Sequence, residues 1–371
     1  MISQWFLHIM FTARAKVLFF LLLIGYVIGL FAYALSIFRT DDPVHQVKTV
    51  SAEMRKEYRD FSAKVRAGLF INNFPEFNFI KNLFVVDALI WFEYDQGELM
   101  LSTIEKFSFE NSKNLIKSPP KIRNYGEKML VTYNIKFDVK TDVNFHRFPL
   151  EDHRLSLVLI NDSITAEEMY FDDNVHALSF KVGDDVFTSD WKIHSLSKIP
   201  GYEPLQFDEY NRGRVVNVPK VAFTIDFRKA GLNKILIILV PIFAAIFLSL
   251  FTFLMSFNSH QGKYTLSITS VTALLGYRFV IDQMSPVVGY FTIVDKLFIF
   301  FIGLCFFVFA FQVVMTRQYM FLLDRQTITA TERSFTDIAI LTPKKTEQIG
   351  TVVLYVLGIV LAVVVTIMVL W

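Results

Sequence analysis

The sequence predicts a multi-domain membrane protein, in which an N-terminal signal or anchor helix precedes an extracytoplasmic antiparallel β-sandwich and a four-helix transmembrane bundle. Three observations carry that expectation. The 371-residue chain is 53% hydrophobic and holds 40 Phe, an apolar excess over ordinary soluble domains. Five segments approach the ~20 apolar residues that a helix needs to cross a hydrocarbon core about 30 Å thick. Between the first and second of them lies a long polar block in which apolar and polar residues alternate, as in strands with one buried and one wet face.

Residues 1–43 contain the first span, Val17–Phe38, which carries no charge. Its "FAYALS" end offers an Ala32-x-Ala34 small-residue pattern of the kind a signal peptidase cuts, so a signal peptide and an uncleaved anchor both stay open. Residues 44–232 form the expected β-domain. After Pro43, the residues Val47, Val50, Met54, Tyr58, Phe61 and Val65 recur every three or four positions and predict one leading amphipathic helix. The runs "LFVVDALIWFEY" (83–94), "VTYNIKFDV" (131–139) and "VAFTIDF" (221–227) predict strands, with Trp91 in the core; "SPPK", "VGDD" and "NRGR" supply turns between the runs. Residues 233–371 hold four spans at about 235–257, 264–281, 292–315 and 349–371, joined across a loop at 316–348.

Basic residues flanking spans tend to stay in the cytoplasm. Arg14 and Lys16, Lys263, and the group Arg317, Arg325, Arg333, Lys344 and Lys345 fall on one side of the predicted spans. The large domain and the C-terminal Trp371 are therefore expected outside a cell membrane that the chain crosses several times. The single cysteine, Cys305, lies in a span, so no intrachain disulfide can staple the β-domain. The balance of 37 basic against 35 acidic residues argues against a nucleic-acid partner. No Gly-rich phosphate loop, HExxH or CxxC occurs; His146 and His153, with Asp152 between, flank a Phe-Pro turn. Neither an enzyme nor a metal or other cofactor is expected.

The segment "KYTLSITSVTALLG" (263–276) is the most informative span. At about 100° per residue, Thr265, Thr269, Thr272, Gly276, Val280 and Gln283 share one narrow face, small and polar, while Leu266, Leu274 and Phe279 flank it or face away; with Phe279 these six are the candidate lining residues of a pore. In lipid such a face must meet another helix or water. Periodicity leaves both readings open. A water-filled pore needs several copies around an axis, hence a ring-shaped homo-oligomer.

"KYTLSITSVTALL", followed by "YRFVIDQMSP" and "GYFTIVDKLF", resembles the pore helix, the next loop and the start of the third helix of pentameric ligand-gated ion channels, the Cys-loop receptor superfamily. "HRFPLEDHRLSL" (146–157) is similar to that family's Phe/Tyr-Pro signature, "VRAGLFINNFPEF" with "VVDALIWFEYD" to its first two strands, and "TIDFRKAGLNKILIILVPI" to its pre-membrane Arg and Pro-containing first helix. The resemblance covers roughly residues 64–371. It implies a homopentamer in the lipid bilayer, gated by a small-molecule or ionic ligand on the outer domain and conducting monoatomic ions. It further implies that Arg228 pairs with Glu151 or Asp152, that the Phe148-Pro149 tip presses on the loop around Pro286, and that Pro241 loosens the first helix. The family builds its site between subunits from aromatic residues, and the loop "IPGYEPLQFDEYNRG" (199–213) offers Tyr202, Phe207 and Tyr210, with Trp191 just upstream, as candidates for ligand contact by cation–π attraction. Lys263 and Asp282 are the candidate charges at the two pore mouths, one favouring anions and the other cations.

The sequence also departs from the pattern. The cysteines that flank the signature in most of the family are missing, as in its bacterial branch; Glu151 and His153 stand in its Asp and Gln positions, and Thr272 stands where an apolar ring is usual. A dewetting constriction is then expected at Phe279 or Val280, or lower, around Ile268. The alternative reading is a non-conducting membrane sensor or scaffold with the same architecture.

Overall fold

Along Lys128–Val139 every second side chain, from Met129 to Val139, is buried, so the period of two in the sequence becomes a strand with one face in a core. The computed structural model describes residues 12–45, 47–49, 62–172, 179–183, 191–206, 215–256, 259–329 and 343–370. The chain divides into two compact units. One takes the chain up to Phe38, the segment Phe145–Leu150 and everything from Leu232; the other is Arg39–Asn144 with Glu151–Gly231. In chain order the elements are α1 (Ala13–Ser36), β1 (Ala63–Asn78), β2 (Leu83–Asp95), the single turn α2 (Leu101–Ile104), β3 (Ser108–Phe109), β4 (Ser112–Lys117), β5 (Lys121–Tyr125) and β6 (Lys128–Val139). There follow β7 (His153–Ile160), β8 (Met169–Phe171), β9 (Phe180–Val182), β10 (Trp191–Gln206), β11 (Val215–Lys229), α3 (Asn233–Phe251), α4 (His260–Met284), α5 (Ile293–Thr329) and α6 (Pro343–Leu370).

The unit beginning at Arg39 is rich in β-sheet. Among the described residues one sheet runs β4-β6-β2-β1-β8, with β5 added to β6 and β9 to β1; the other runs β10-β11-β7-β3. Val65, Ile71, Phe84, Ile90, Phe92, Val131 and Phe137 from the first sheet share one apolar core with Leu155, Leu157, Phe223 and Phe227 from the second. Each such buried side chain contributes about 1.5–3 kcal/mol relative to exposure. The sheets are not wholly antiparallel as expected. β8 and β9 add to β1 in parallel, over three residue pairs each. Their runs are too short to show a pattern in the sequence. Trp91 is half-buried on the opposite face of β2, lying across Gly68 of β1.

Two further expectations change. The stretch 199–206, read as part of a loop because of Pro200, Gly201 and Pro204, is the end of β10, paired along its length with β11. β10 is the last strand of its sheet, and an edge is where a strand tolerates proline. Of the leading helix, residues 50–61 lie outside the described residues, Val65 belongs to β1, and Lys48 beside Val47 forms an isolated antiparallel bridge to Tyr202.

The other unit is helical. α1, α3, α4, the part Ile293–Gln318 of α5 and the part Glu347–Leu370 of α6 are each long and apolar enough to cross a membrane, which is compatible with a membrane location. α3 stops at Phe251, short of the expected 257. Thr252 closes it, its hydroxyl donating to the Ser249 carbonyl at 2.7 Å and accepting from Gln312 Nε2 at 3.0 Å. α5 runs to Thr329, past the expected 315, through a polar stretch without Gly or Pro; α6 opens on Pro343, a residue suited to a first helical turn.

Candidate functional site

α4 packs against α3 and α5. The side it turns to its own unit is Lys263, Ser267, Ser270, Leu274 and Ile281, all buried and spaced by threes and fours. Thr265, Thr269, Thr272, Gly276, Phe279, Val280 and Gln283 all lie on exposed positions of the remaining surface, with Asp282, Ile268 and Leu275 also exposed there. The structure therefore brings the seven expected lining residues together on one uncovered face. Phe279 is the most exposed large side chain among them, at 73%. Lys263, the candidate charge at one pore mouth, is 1% exposed and lies on the packed stripe.

Pro241 sits inside α3 and supplies no N–H for the carbonyl of Ile237, four residues earlier. The Tyr277 hydroxyl, reaching across from α4, donates to that carbonyl. The Arg278 guanidinium is held by two carboxylates, Asp282 at 2.8 Å one turn along and Asp295 at 2.6 Å on α5. Asp295 also accepts from the Thr292 N–H and hydroxyl at 3.0 and 2.7 Å, which caps the first turn of α5.

The segment Phe145–Leu150 belongs to this helical unit. Phe148 and Pro149 are buried, with a cis peptide bond between them. The carbonyl of His146 accepts from the Ile293 N–H at 2.9 Å and that of Phe148 from Val294 at 3.4 Å. The Phe145 N–H donates to the Tyr290 hydroxyl at 2.9 Å, and the His146 and Tyr290 rings stack at 3.9 Å. The segment thus meets residues 290–294, whereas the loop around Pro286 was expected; Pro286 itself is buried.

Directly after this segment, the β-rich unit gathers a buried ionic cluster. Asp152 accepts from the backbone N–H groups of Arg39 and Lys229, both at 2.9 Å. Burial pushes its pKa up, against the opposing pull of those hydrogen bonds and of the Arg228 and His153 charges. His153 Nδ1 lies 3.1 Å from Asp42 and Nε2 3.6 Å from Glu151. Burial by itself would lower its pKa, yet hydrogen bonding and charge from Asp42 and Glu151 together outweigh burial and raise it. The other Glu151 oxygen is buried with no hydrogen-bond partner among the described residues.

Of the aromatic ligand candidates, Trp191 packs inside its own unit, 4.9 Å from Phe79 and 5.3 Å from His153 between ring centroids. Tyr202 pairs through its backbone with Lys48, at 3.1 and 2.9 Å. Phe207 and Tyr210 lie outside the described residues. His45, Glu110 and Glu203 bring ligand atoms within 4.8 Å of one another, a grouping that sequence spacing does not reveal. The Lys220 ammonium bonds both of these glutamates and already supplies the cation there. A polar cavity of about 260 Å³ on β1 and β2 is lined by Lys64, Arg66, Glu93 and Lys128, whose charges pair with one another and with Asp172.

No family model matches the chain, and no curated protein does.

Proposed function

We propose that the chain is one subunit of a homopentameric ligand-gated ion channel of the Cys-loop type. In this reading the β-rich unit is an extracytoplasmic sandwich that takes a ligand, and α3 to α6 form the four-helix pore domain. The observation that supports it is the surface of α4. Its hydroxyl-bearing line, Thr265, Thr269 and Thr272, is exposed while its other serines, Ser267 and Ser270, are buried in the unit. A hydroxyl face turned outward in a membrane requires water or other protein. Five copies turned to a common axis supply both.

The expected signal path follows the contacts on each side of residue 150. Within one unit, Phe145–Leu150 bonds the start of α5; within the other, Glu151, Asp152 and His153 are tied to Asp42, Arg39 and Lys229. Ligand binding that repacks the sheets changes the frame in which that chain segment is held.

A second reading, a non-conducting sensor or scaffold, is favoured by the apolar members of the same face: Ile268, Leu275, Phe279 and Val280 are 52, 46, 73 and 37% exposed. Five such faces can pack dry. Single cysteines at 265–283 in a Cys305→Ala background, reconstituted and treated with a hydrophilic thiol reagent, separate the two. Block of current with a period of three to four, centred on Thr265, Thr269, Thr272 and Gly276, supports the channel; unreactive positions without current in any condition reject it.

A further inference from the structure

α1 buries Lys16, Phe20, Leu23, Val27, Leu30 and Ala34, at alternating steps of four and three. That spacing puts one stripe against neighbouring helices along the whole length. Two helices receive it. On α6, Phe19 meets Tyr355 edge-on at 4.7 Å, the Tyr26 and Thr366 hydroxyls stand 2.6 Å apart, and the Lys16 ammonium bonds Glu347 at 3.1 Å. On α3, Phe20 meets Phe247 at 5.7 Å and Phe31 meets Phe243 at 5.3 Å.

The receiving surface is shaped for α1. Gly358 of α6 faces the Phe19 ring, and a Cβ at that position would stand 2.6 Å from it, closer than real side chains approach. A side chain there must displace the Phe19 ring, and one as large as Leu must also displace Leu23, whose Cδ2 lies 3.4 Å from the same point. The cleaved core of a signal peptide needs apolarity and length, not a glycine reserved for one of its rings or a buried lysine matched to a carboxylate. The Ala32-x-Ala34 pattern, moreover, lies within the helical turns of α1, with Ala34 buried.

We propose that α1 stays on the mature protein as a resident membrane helix seated between α3 and α6, its start tied to α6 by the Lys16–Glu347 pair. Seating of α1 does not depend on conduction, so its test stands apart from that of the channel.

The full-length protein is taken in its native membrane, its intact mass is measured, and it is treated with a water-soluble carbodiimide. The reagent takes up the water lost as the Lys16 amine and the Glu347 carboxyl form an amide, and peptide masses report the joined pair. The expected result is a mass that includes α1 and a Lys16–Glu347 cross-linked peptide that is absent from Glu347→Gln. Gly358→Leu should abolish that peptide, and adding Phe19→Ala should restore it. A mass starting after Ala34, an intact α1 with no cross-link, or a cross-link indifferent to Gly358→Leu would each overturn the seating.

Discussion

The hydroxyl of Tyr277 donates to the carbonyl of Ile237, the group that Pro241 leaves without its helical donor. Lipid offers no replacement for a lost donor, so a proline inside a span is tolerated where a neighbour re-satisfies the freed carbonyl. Tyr277→Phe keeps the ring and removes that donor. It is expected to lower stability by about 1–3 kcal/mol, the cost of an unsatisfied polar group. Adding Pro241→Ala restores the backbone donor and should return most of the loss. Thermal melting of the single and double variants in nanodiscs checks this; equal losses with and without Pro241 would remove the link.

Arg278 joins three positions, holding Asp282 on its own helix and Asp295 at the start of α5. Arg278→Ala strands Asp295, which is mostly buried, and should destabilise α5's first turn by roughly 1–3 kcal/mol, discounted for the partial exposure of Arg278. Asp295→Asn, which keeps an acceptor for Thr292, should cost less. Hydrogen exchange at residues 292–296 in the two variants measures the difference, and faster exchange in Asp295→Asn would contradict it.

Gly68 lies beneath the Trp91 indole, and an added Cβ would overlap the ring. Gly68→Ala is expected to cost about 1–3 kcal/mol through displacement of Trp91. In a Trp91→Ala background the same change should cost little. The double-mutant cycle, read by melting temperature and Trp fluorescence, reports the coupling.

His153 and Asp152 together set a pH dependence. The folded pKa of His153 is raised, so its contribution is fully present below its unfolded value near 6.5 and is lost as pH rises through the folded value. Asp152 is raised as well; the folded state then holds its proton more tightly, and stability falls with rising pH from about 3.8 upward through the folded value. Melting temperature should therefore decline in two windows, one acidic and one beginning above about 6.5. His153→Gln should flatten the upper window, and an unchanged upper slope would refute the assignment.

Legibility in the sequence followed the strength of periodicity. β6 and β2 alternate without fault because one face of each lies in the core, and both read directly as strands. The exposed face of α4 was legible for the same reason, since a helical wheel needs no knowledge of partners. The end of β10 was not, because Pro200, Gly201 and Pro204 signal a turn everywhere except on an edge strand. The burial of Lys263 was not legible, because a charge on a helix suggests exposure. The partners of residues 39–48, namely Asp152, His153, Glu110 and Tyr202, are too distant in sequence for any local pattern.

That distance also fixes an order of events on the ribosome. Asp42 bonds Arg154, 112 positions later, and Arg39 bonds Asp152, 113 positions later. The stretch 39–48 therefore emerges early and waits, unpaired, until β7 and β10 are made. Phe145 waits in turn for Tyr290, another 145 residues downstream. The β-rich unit is fully made by Gly231, whereas the helical unit, which takes Phe145–Leu150 from within that stretch, has to wait for the helices made after it. Truncated chains ending before α5 should consequently be prey for membrane proteases, because the Phe145–Leu150 loop then has nothing to hold.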